Sequence, residues 1–320
     1  MESIKQKVRR RKMENLVNSS PLILVLVFLV IGFAFLMKGA DFFVEGSSSI
    51  AKRLKVPPII IGLTIVAMGT SLPETAVSVT ASMVNNNELA ISNVVGSNIF
   101  NLMVVVGVCS ILTPILVQKE TVTRDIPFSM ICAFLLLGLG VLVVGDKSGM
   151  TLGHLDGMIL LGFFAGYIVA MIRSAMKARK ARAAGKNVEI EGIEELEEEI
   201  GILSWPKSIL FIVGGALAIA FGGDLTVDAA SRIAIDLGMS QTLVGLTIVS
   251  IGTSLPELVT SVVAARKNEV DMAVGNAVGS NIFNILMVLG IASAINPVAL
   301  IRENIIDIVI LIGFSLIVWI

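Results

Sequence analysis

One stretch occurs twice in this chain, and it limits the fold more than any other feature. Residues 69–101 read GTSLPETAVSVTASMVNNNELAISNVVGSNIFN, and residues 252–284 read GTSLPELVTSVVAARKNEVDMAVGNAVGSNIFN. The identities fall at a constant offset of 183 with no gap. Each copy sets a hydroxyl pair, a proline and a glutamate in an apolar segment, then a serine and two asparagines in the next one. The chain around them is 55% hydrophobic and only 15% charged. Soluble domains carry about 25% charged residues, so this is the composition of a polytopic membrane protein. Polar groups at matched positions in two apolar halves predict an ion site at the interface of a duplicated membrane protein.

Apolar runs of about 20 residues, enough to cross a bilayer, follow one another along the chain. They predict spans over residues 21–45, 58–84, 89–113, 126–145 and 151–173, then 207–232, 241–265, 272–294 and 303–320. The run Leu22–Met37 lacks a small-residue cleavage site and continues into GADFFVEG, so it is a retained helix rather than a signal sequence. The expected organisation is a polar tail (1–20), a first membrane repeat (21–174), a charged surface linker (175–205) and a second membrane repeat (206–320). The repeat extends beyond the core motif: Gly39, Asp41, Gly62 and Pro114 map to Gly222, Asp224, Gly245 and Pro297. A unit of five spans is odd in number, so its second copy enters the membrane from the opposite side. The fold expected is an all-α membrane protein of two inverted-topology repeats of about five helices. The counterpart of residues 151–173 would begin near residue 334, past Ile320, so the last helix of the second unit is expected to be missing from this chain.

A net charge of −1 and the lack of a basic aromatic stripe argue against a nucleic-acid partner. His154 is the only histidine, which leaves little for zinc or a histidine relay, and Cys109 and Cys132 read as packing residues. An intramembrane aspartyl protease would need a GxGD motif, and the nearest stretch, Phe221-Gly222-Gly223-Asp224, lacks its first glycine. Most of the 24 basic residues gather on one side when the N-terminus lies outside: Lys38, Lys52, Arg53, Lys55, Lys119, Arg124, the linker, Arg266 and Lys267. The linker is then cytoplasmic. The basic cluster Lys5–Lys12 opposes that orientation, a conflict that a start at Met13 would remove. In the linker, Glu189–Glu199 with Ile190, Ile193, Leu196 and Ile200 reads as an amphipathic surface helix.

The chemistry lies in the repeat. Thr70, Ser71 and Glu74 fall within little more than one helical turn and can share a face. Pro73 donates no hydrogen bond and pushes away the carbonyl of Gly69, so the helix must kink there and leave a carbonyl seeking a partner. Thr253, Ser254, Pro256 and Glu257 repeat the pattern, and the adjoining spans supply Ser97, Asn98 and Asn101 with Ser280, Asn281 and Asn284. Hydroxyls and amides alone could be interhelical glue, and a lone glutamate could be a protonated packing residue. Two glutamates at equivalent positions, each beside Thr-Ser-x-Pro, point instead to a shared function. All the donors are oxygens, which suits hard cations such as Ca²⁺ and Na⁺. Two carboxylates neutralise one Ca²⁺ or two Na⁺. Asp41, Glu45, Asp224 and Asp228 lie near span ends and read as interface or capping residues.

The paired GTSLPE and GSNIFN motifs closely resemble the two alpha repeats of the calcium/cation antiporter superfamily, and within it the sodium/calcium exchanger branch of prokaryotic type. The resemblance covers the chain from about residue 21 onward. It implies ten helices in two inverted halves, no cofactor and no enzymatic activity, with Na⁺ entry driving Ca²⁺ export across the cell membrane by alternating access. It also implies that helices one and six slide over a fixed core. Carried over by motif position, Glu74 and Glu257 are the central Ca²⁺ ligands. Thr70, Ser71, Thr253 and Ser254 add oxygens, Ser97 and Ser280 line flanking Na⁺ positions, and the carbonyls of Ala67 and Ser250 are further Na⁺ contacts. Asn101 and Asn284 close the second motif. Potassium-dependent members have an aspartate where this chain has Asn284, so the substitution argues against K⁺ co-transport. A proton- or potassium-coupled cation antiporter of the same architecture is the alternative, with a passive cation channel behind it.

Overall fold

The computed structural model describes residues 16–83, 87–113, 119–141, 150–183, 202–240, 248 and 250–320. The first helix, α1 (Leu22–Leu54), ends where Lys55 takes a left-handed backbone conformation, φ 56°. Pro57 and Pro58 then restart the chain, with proline in the first turn, where its missing N–H costs nothing. The next two helices, α2 (Pro58–Thr70) and α3 (Leu72–Met83), are bent by 49° at their junction. Pro73 stands at that junction, as its chemistry requires. The first half closes with α4 (Leu89–Leu112), α5 (Thr121–Val141) and α6 (His154–Ala183).

The second half repeats the order as α7 (Trp205–Asp236), α8 (Ser250–Thr253), α9 (Leu255–Arg266), α10 (Val270–Ile295) and α11 (Arg302–Trp319). Among the described residues, six helices are long and apolar enough to cross a membrane, and the bent pair α2–α3 makes a seventh. The two other expected spans are helical where described. Part of the chain leading into α8 lies outside the described residues, and α11 carries Arg302, Glu303 and Asp307 in its first turns. Helix α6 continues to Ala183, past the end expected near residue 173. The acidic run 189–199 lies outside the described residues. The described chain departs from an all-helical fold in one small antiparallel pairing, β1 (Thr151–Leu152) with β2 (Val298–Ala299).

Burial separates the helices into centre and periphery. The apolar window of α10 is 78% buried, against 22% for α1, 28% for α6 and 33% for α7. Phe283 of α10 is fully buried and packs edge-on against Phe164 of α6 at 5.0 Å between ring centres. By contrast, Ile23 and Val30 of α1 and Leu210 and Leu217 of α7 are exposed, as residues facing lipid should be. Cys109 and Cys132 are free and buried, in keeping with a packing role.

Helices α1 and α7 cross on small residues. A Cβ on Gly222 would lie 2.7 Å from the Gly32 carbonyl, and one on Gly215 would lie 2.7 Å from the Gly39 carbonyl. Gly46 in turn meets the Ser208 carbonyl at 2.8 Å. Residue numbers rise along α1 as they fall along α7, so the helices are antiparallel. Each opens its own repeat, and the repeats therefore enter the membrane in opposite senses. Gly32 and Gly39 are offset by 183 from Gly215 and Gly222, so the contact is its own mirror about a pseudo-twofold axis. With no hydrophobic drive between helices in lipid, such backbone contact supplies the attraction. Gly222→Ala should therefore cost about 1–3 kcal/mol through overpacking. The check is thermal unfolding in detergent, and a variant that melts like the parent would contradict the contact.

Candidate cation site

The breaks in the two bent segments place the site. Ser71 (φ −80°, ψ 9°) and Ser254 (φ −93°, ψ 2°) leave helical geometry between α2 and α3 and between α8 and α9. Their hydroxyls consequently do not stay with the glutamate of their own segment, as a shared helical face would have kept them. Ser71 Oγ donates to Glu257 Oε1 at 3.1 Å, and Ser254 Oγ donates to Glu74 Oε1 at 3.5 Å. Each glutamate is thus served by the opposite repeat. The adjoining helices complete the shell, with Ser97 Oγ 3.5 Å from Glu74 Oε1 and Ser280 Oγ 3.5 Å from Glu257 Oε1. Ser254 Oγ also reaches Ser97 Oγ at 3.0 Å, and Thr70 Oγ1 reaches Ser280 Oγ at 3.4 Å.

The asparagines join α4 to α10. Asn98 Nδ2 donates to the Asn281 carbonyl at 3.1 Å, and Asn281 Nδ2 returns the bond to the Asn98 carbonyl at 3.2 Å. Asn101 Nδ2 donates to Asn281 Oδ1 at 3.1 Å, and Asn284 Nδ2 donates to Asn98 Oδ1 at 3.0 Å. Asn101 and Asn284 each begin a π-helical turn, Asn101–Val105 and Asn284–Val288. The wider turn is a common device at functional sites.

All of these side chains except Thr253, at 9% exposure, are 4% exposed or less, and both glutamates are fully buried. Four buried oxygens of the set have no hydrogen-bond donor: Glu74 Oε2, Glu257 Oε2, Asn101 Oδ1 and Asn284 Oδ1. They form two pairs related by the repeat. A buried acceptor without a donor is costly, and a buried carboxylate more so. A cation among them would offset that cost. Among the described residues no group of three or more His, Cys, Asp or Glu side chains stands together. The donor set is therefore one of mixed neutral and charged oxygens, suited to Ca²⁺ or Na⁺ rather than zinc or copper. The Ala67 carbonyl accepts from Ser71 N at 3.0 Å and faces Thr70 Oγ1 at 3.3 Å, while Ser250 opens α8. Asp41, read as an interface residue, pairs with Lys267 at 3.4 Å near the end of α9, away from this cluster.

The peripheral helices press on the breaks. A Cβ on Gly69 would lie 2.5 Å from the Phe43 ring of α1, and one on Gly252 would lie 2.1 Å from Val227 of α7. Glycine is needed at both places for this approach.

The family model described as sodium/calcium exchanger protein matches residues 24–173 and 207–320. This chain belongs to that family. Within the sodium/calcium exchanger family it is 40% identical to CaxA of Alkalimonas amylolytica, described as a candidate antiporter, over 85% of this chain and 81% of that one. It is 34% identical to the sodium/calcium exchanger MaX1 of Methanosarcina acetivorans, over 85% and 83% of the two chains. A structure of the sodium-calcium exchanger NCX_Mj soaked with Na⁺ and Ca²⁺ superposes with a TM-score of 0.74 at 30% identity, covering 93% of this chain and 90% of that one. The exchanger-family chain is accordingly a multi-pass integral membrane protein of antiporter type.

Two pairs in this exchanger's site were not singled out from the sequence. Asn93 and Asn276 bond to the glutamate-bearing segments, Asn93 to Ser78 and the Glu74 carbonyl on α3, and Asn276 to Ser261 and the Glu257 carbonyl on α9. Both pairs obey the 183-residue offset, and that was the available signal. Asn98 and Asn281 each make two of these bonds, Asn98 to Asn281 and Asn284, and Asn281 to Asn98 and Asn101. Asn98→Ala leaves at least two buried polar groups unpaired, at about 1–3 kcal/mol each. A large drop in melting temperature is expected in chelator as well as with ions, and a drop confined to one of these conditions would count against a structural role.

Proposed function

We propose that this chain exchanges Na⁺ for Ca²⁺ across the cell membrane by alternating access. The carrying observation is the set of four donor-free oxygens on Glu74, Glu257, Asn101 and Asn284, buried where the two repeats meet. In this reading Glu74 and Glu257 are the shared ligands of both ions. Ser71, Ser254, Thr70, Thr253, Ser97 and Ser280 add hydroxyl oxygens, Asn101 and Asn284 amide oxygens, and Ala67 and Ser250 carbonyls. No cofactor takes part.

Charge balance gives the exchange its logic. Two ionised carboxylates carry a charge of −2, which one Ca²⁺ or two Na⁺ cancel. A site left charged inside the protein pays several kcal/mol of desolvation for each ion. Occupancy by either cation therefore lowers the barrier to turning the site from one side to the other. With Asn284 in place of a carboxylate, the balance needs no third positive charge. That supports Na⁺ alone as coupling ion over a K⁺-requiring cycle. The similar exchanger NCX_Mj has been soaked with Na⁺, Ca²⁺ or Sr²⁺, and Sr²⁺ is a convenient probe here.

For the motion, we assign α1 and α7 as one moving pair over a fixed core centred on α10. Their mutual glycine contacts support it. Phe43 and Val227 ride on Gly69 and Gly252, the residues just before the two breaks, which ties the pair's position to the site. The orientation we propose puts the N-terminus outside and the linker in the cytoplasm.

Reconstituted vesicles test the coupling. An imposed Na⁺ gradient should drive Ca²⁺ uptake, whereas K⁺ or H⁺ gradients alone should not. Ca²⁺ movement driven by a pH gradient with no response to Na⁺ would refute the assignment. Glu74→Gln and Glu257→Gln keep side-chain volume but remove a buried charge partner, worth about 3–5 kcal/mol. Each should reduce flux about a hundredfold or more while the protein stays monodisperse in detergent. Near-normal flux in both variants would remove the site.

A further inference from the structure

Asn93 and Asn276 lie outside the ligand set above, yet each touches it from both repeats. Asn276 is fully buried in α10. Its Nδ2 donates to the Glu257 carbonyl at 3.3 Å and to Ser261 Oγ at 2.9 Å. Its Oδ1 accepts from Thr70 Oγ1 at 3.0 Å. Asn93 repeats the pattern from α4, with Nδ2 3.4 Å from the Glu74 carbonyl and 2.9 Å from Ser78 Oγ, and with Oδ1 3.3 Å from Thr253 Oγ1.

Chemistry fixes the polarity of these contacts. A backbone carbonyl only accepts, so the amide nitrogen must face it, and Oδ1 then faces the threonine. A threonine hydroxyl has one hydrogen and two lone pairs. When the hydrogen points at Oδ1, the hydroxyl offers lone pairs elsewhere. For Thr70 three acceptors compete for the hydrogen, Asn276 Oδ1 at 3.0 Å, the Val66 carbonyl at 3.2 Å and the Ala67 carbonyl at 3.3 Å, and Oδ1 is the nearest. Ser280 Oγ lies at 3.4 Å and in turn reaches Glu257 Oε1 at 3.5 Å. A cation binds lone pairs and is repelled by a hydroxyl hydrogen. The direction of one proton thus decides whether each threonine can serve as a ligand.

We propose that Asn93 and Asn276 are positioning residues of the ion site, an inference that rests on the reading of Glu74 and Glu257 as its centre. Each amide turns the threonine of the opposite repeat so that its oxygen lone pairs face the ion. The same amide braces the backbone of its own repeat's glutamate. Neither asparagine contacts the ion.

A double-mutant cycle on the full chain tests this, with Thr70→Val, Asn276→Ala and the two combined. Ca²⁺ binding is read by calorimetry in detergent, and Ca²⁺ flux in vesicles. If Asn276 acts through Thr70, each single variant weakens Ca²⁺ binding about tenfold, the scale of one hydrogen bond. The double variant is then no more than about twofold weaker than Thr70→Val, because the coupling energy absorbs the second loss. In vesicles Asn276→Ala raises the half-saturating Ca²⁺ by the same factor, while its maximal rate stays within about threefold. Additive losses, about a hundredfold in the double variant by the same scale, would overturn the proposal. So would a fall in maximal rate at unchanged half-saturation. The parallel cycle of Asn93→Ala with Thr253→Val decides the matter if Asn276→Ala does not fold, since Asn93 is only half-buried and water can reach the groups it releases. An unmodified protein that binds neither Ca²⁺ nor Na⁺ in the calorimeter would overturn the ion site itself, and this proposal with it.

Discussion

Two carboxylates, Glu74 and Glu257, stand in an interior that excludes water, each with one oxygen that no donor reaches. Taking two carboxylates out of water costs several kcal/mol for each ion, and much of the architecture around them addresses it. Hydroxyls from both repeats donate to the other carboxylate oxygens. The helix breaks at Ser71 and Ser254 are what let those hydroxyls reach across. A cation held there would offset what the hydrogen bonds leave uncompensated.

The pseudo-twofold axis explains why the compensation is shared. Asn98 and Asn281 exchange side-chain to backbone bonds, and Ser71 and Ser254 serve opposite glutamates. Every link of this kind ties one half to the other, across α4 and α10 or across the two glutamate-bearing segments. The α1–α7 pair is built differently. It crosses on glycines and meets the core through Phe43 and Val227 at two further glycines, by van der Waals contact. Lys267 adds an ion pair to Asp41, and Ser48 a hydrogen bond to Glu269, on the side of the α9–α10 turn. Dispersion contacts re-form after a slide more readily than an oriented hydrogen-bond network does.

Much of this was legible in the residues. Polar motifs at a constant offset identified the duplication, Pro73 and Pro256 located the breaks, and the oxygen-only donor set indicated hard cations. The helix order matched the apolar runs because a backbone in lipid has to satisfy its hydrogen bonds internally. Helical periodicity, however, reports only neighbours on the same helix. It grouped Thr70 and Ser71 with Glu74, whereas the break sends Ser71 to Glu257 and Thr70 to Asn276. Asn93 and Asn276 went unremarked because their role is defined by groups 15 to 206 residues away.

The sequence by itself determined the membrane setting, the two-unit plan, the residues that must answer for buried charge and the class of ion that suits them. These follow from composition, spacing and side-chain chemistry, which are local properties. Only the tertiary structure decided the pairing: which hydroxyl faces which carboxylate, which amide points its oxygen inward, and which four oxygens are left without donors. Those outcomes depend on how two antiparallel repeats close around their axis. That closure is set by the glycine crossings and by the asparagine bonds between α4 and α10, contacts between segments that lie far apart along the chain.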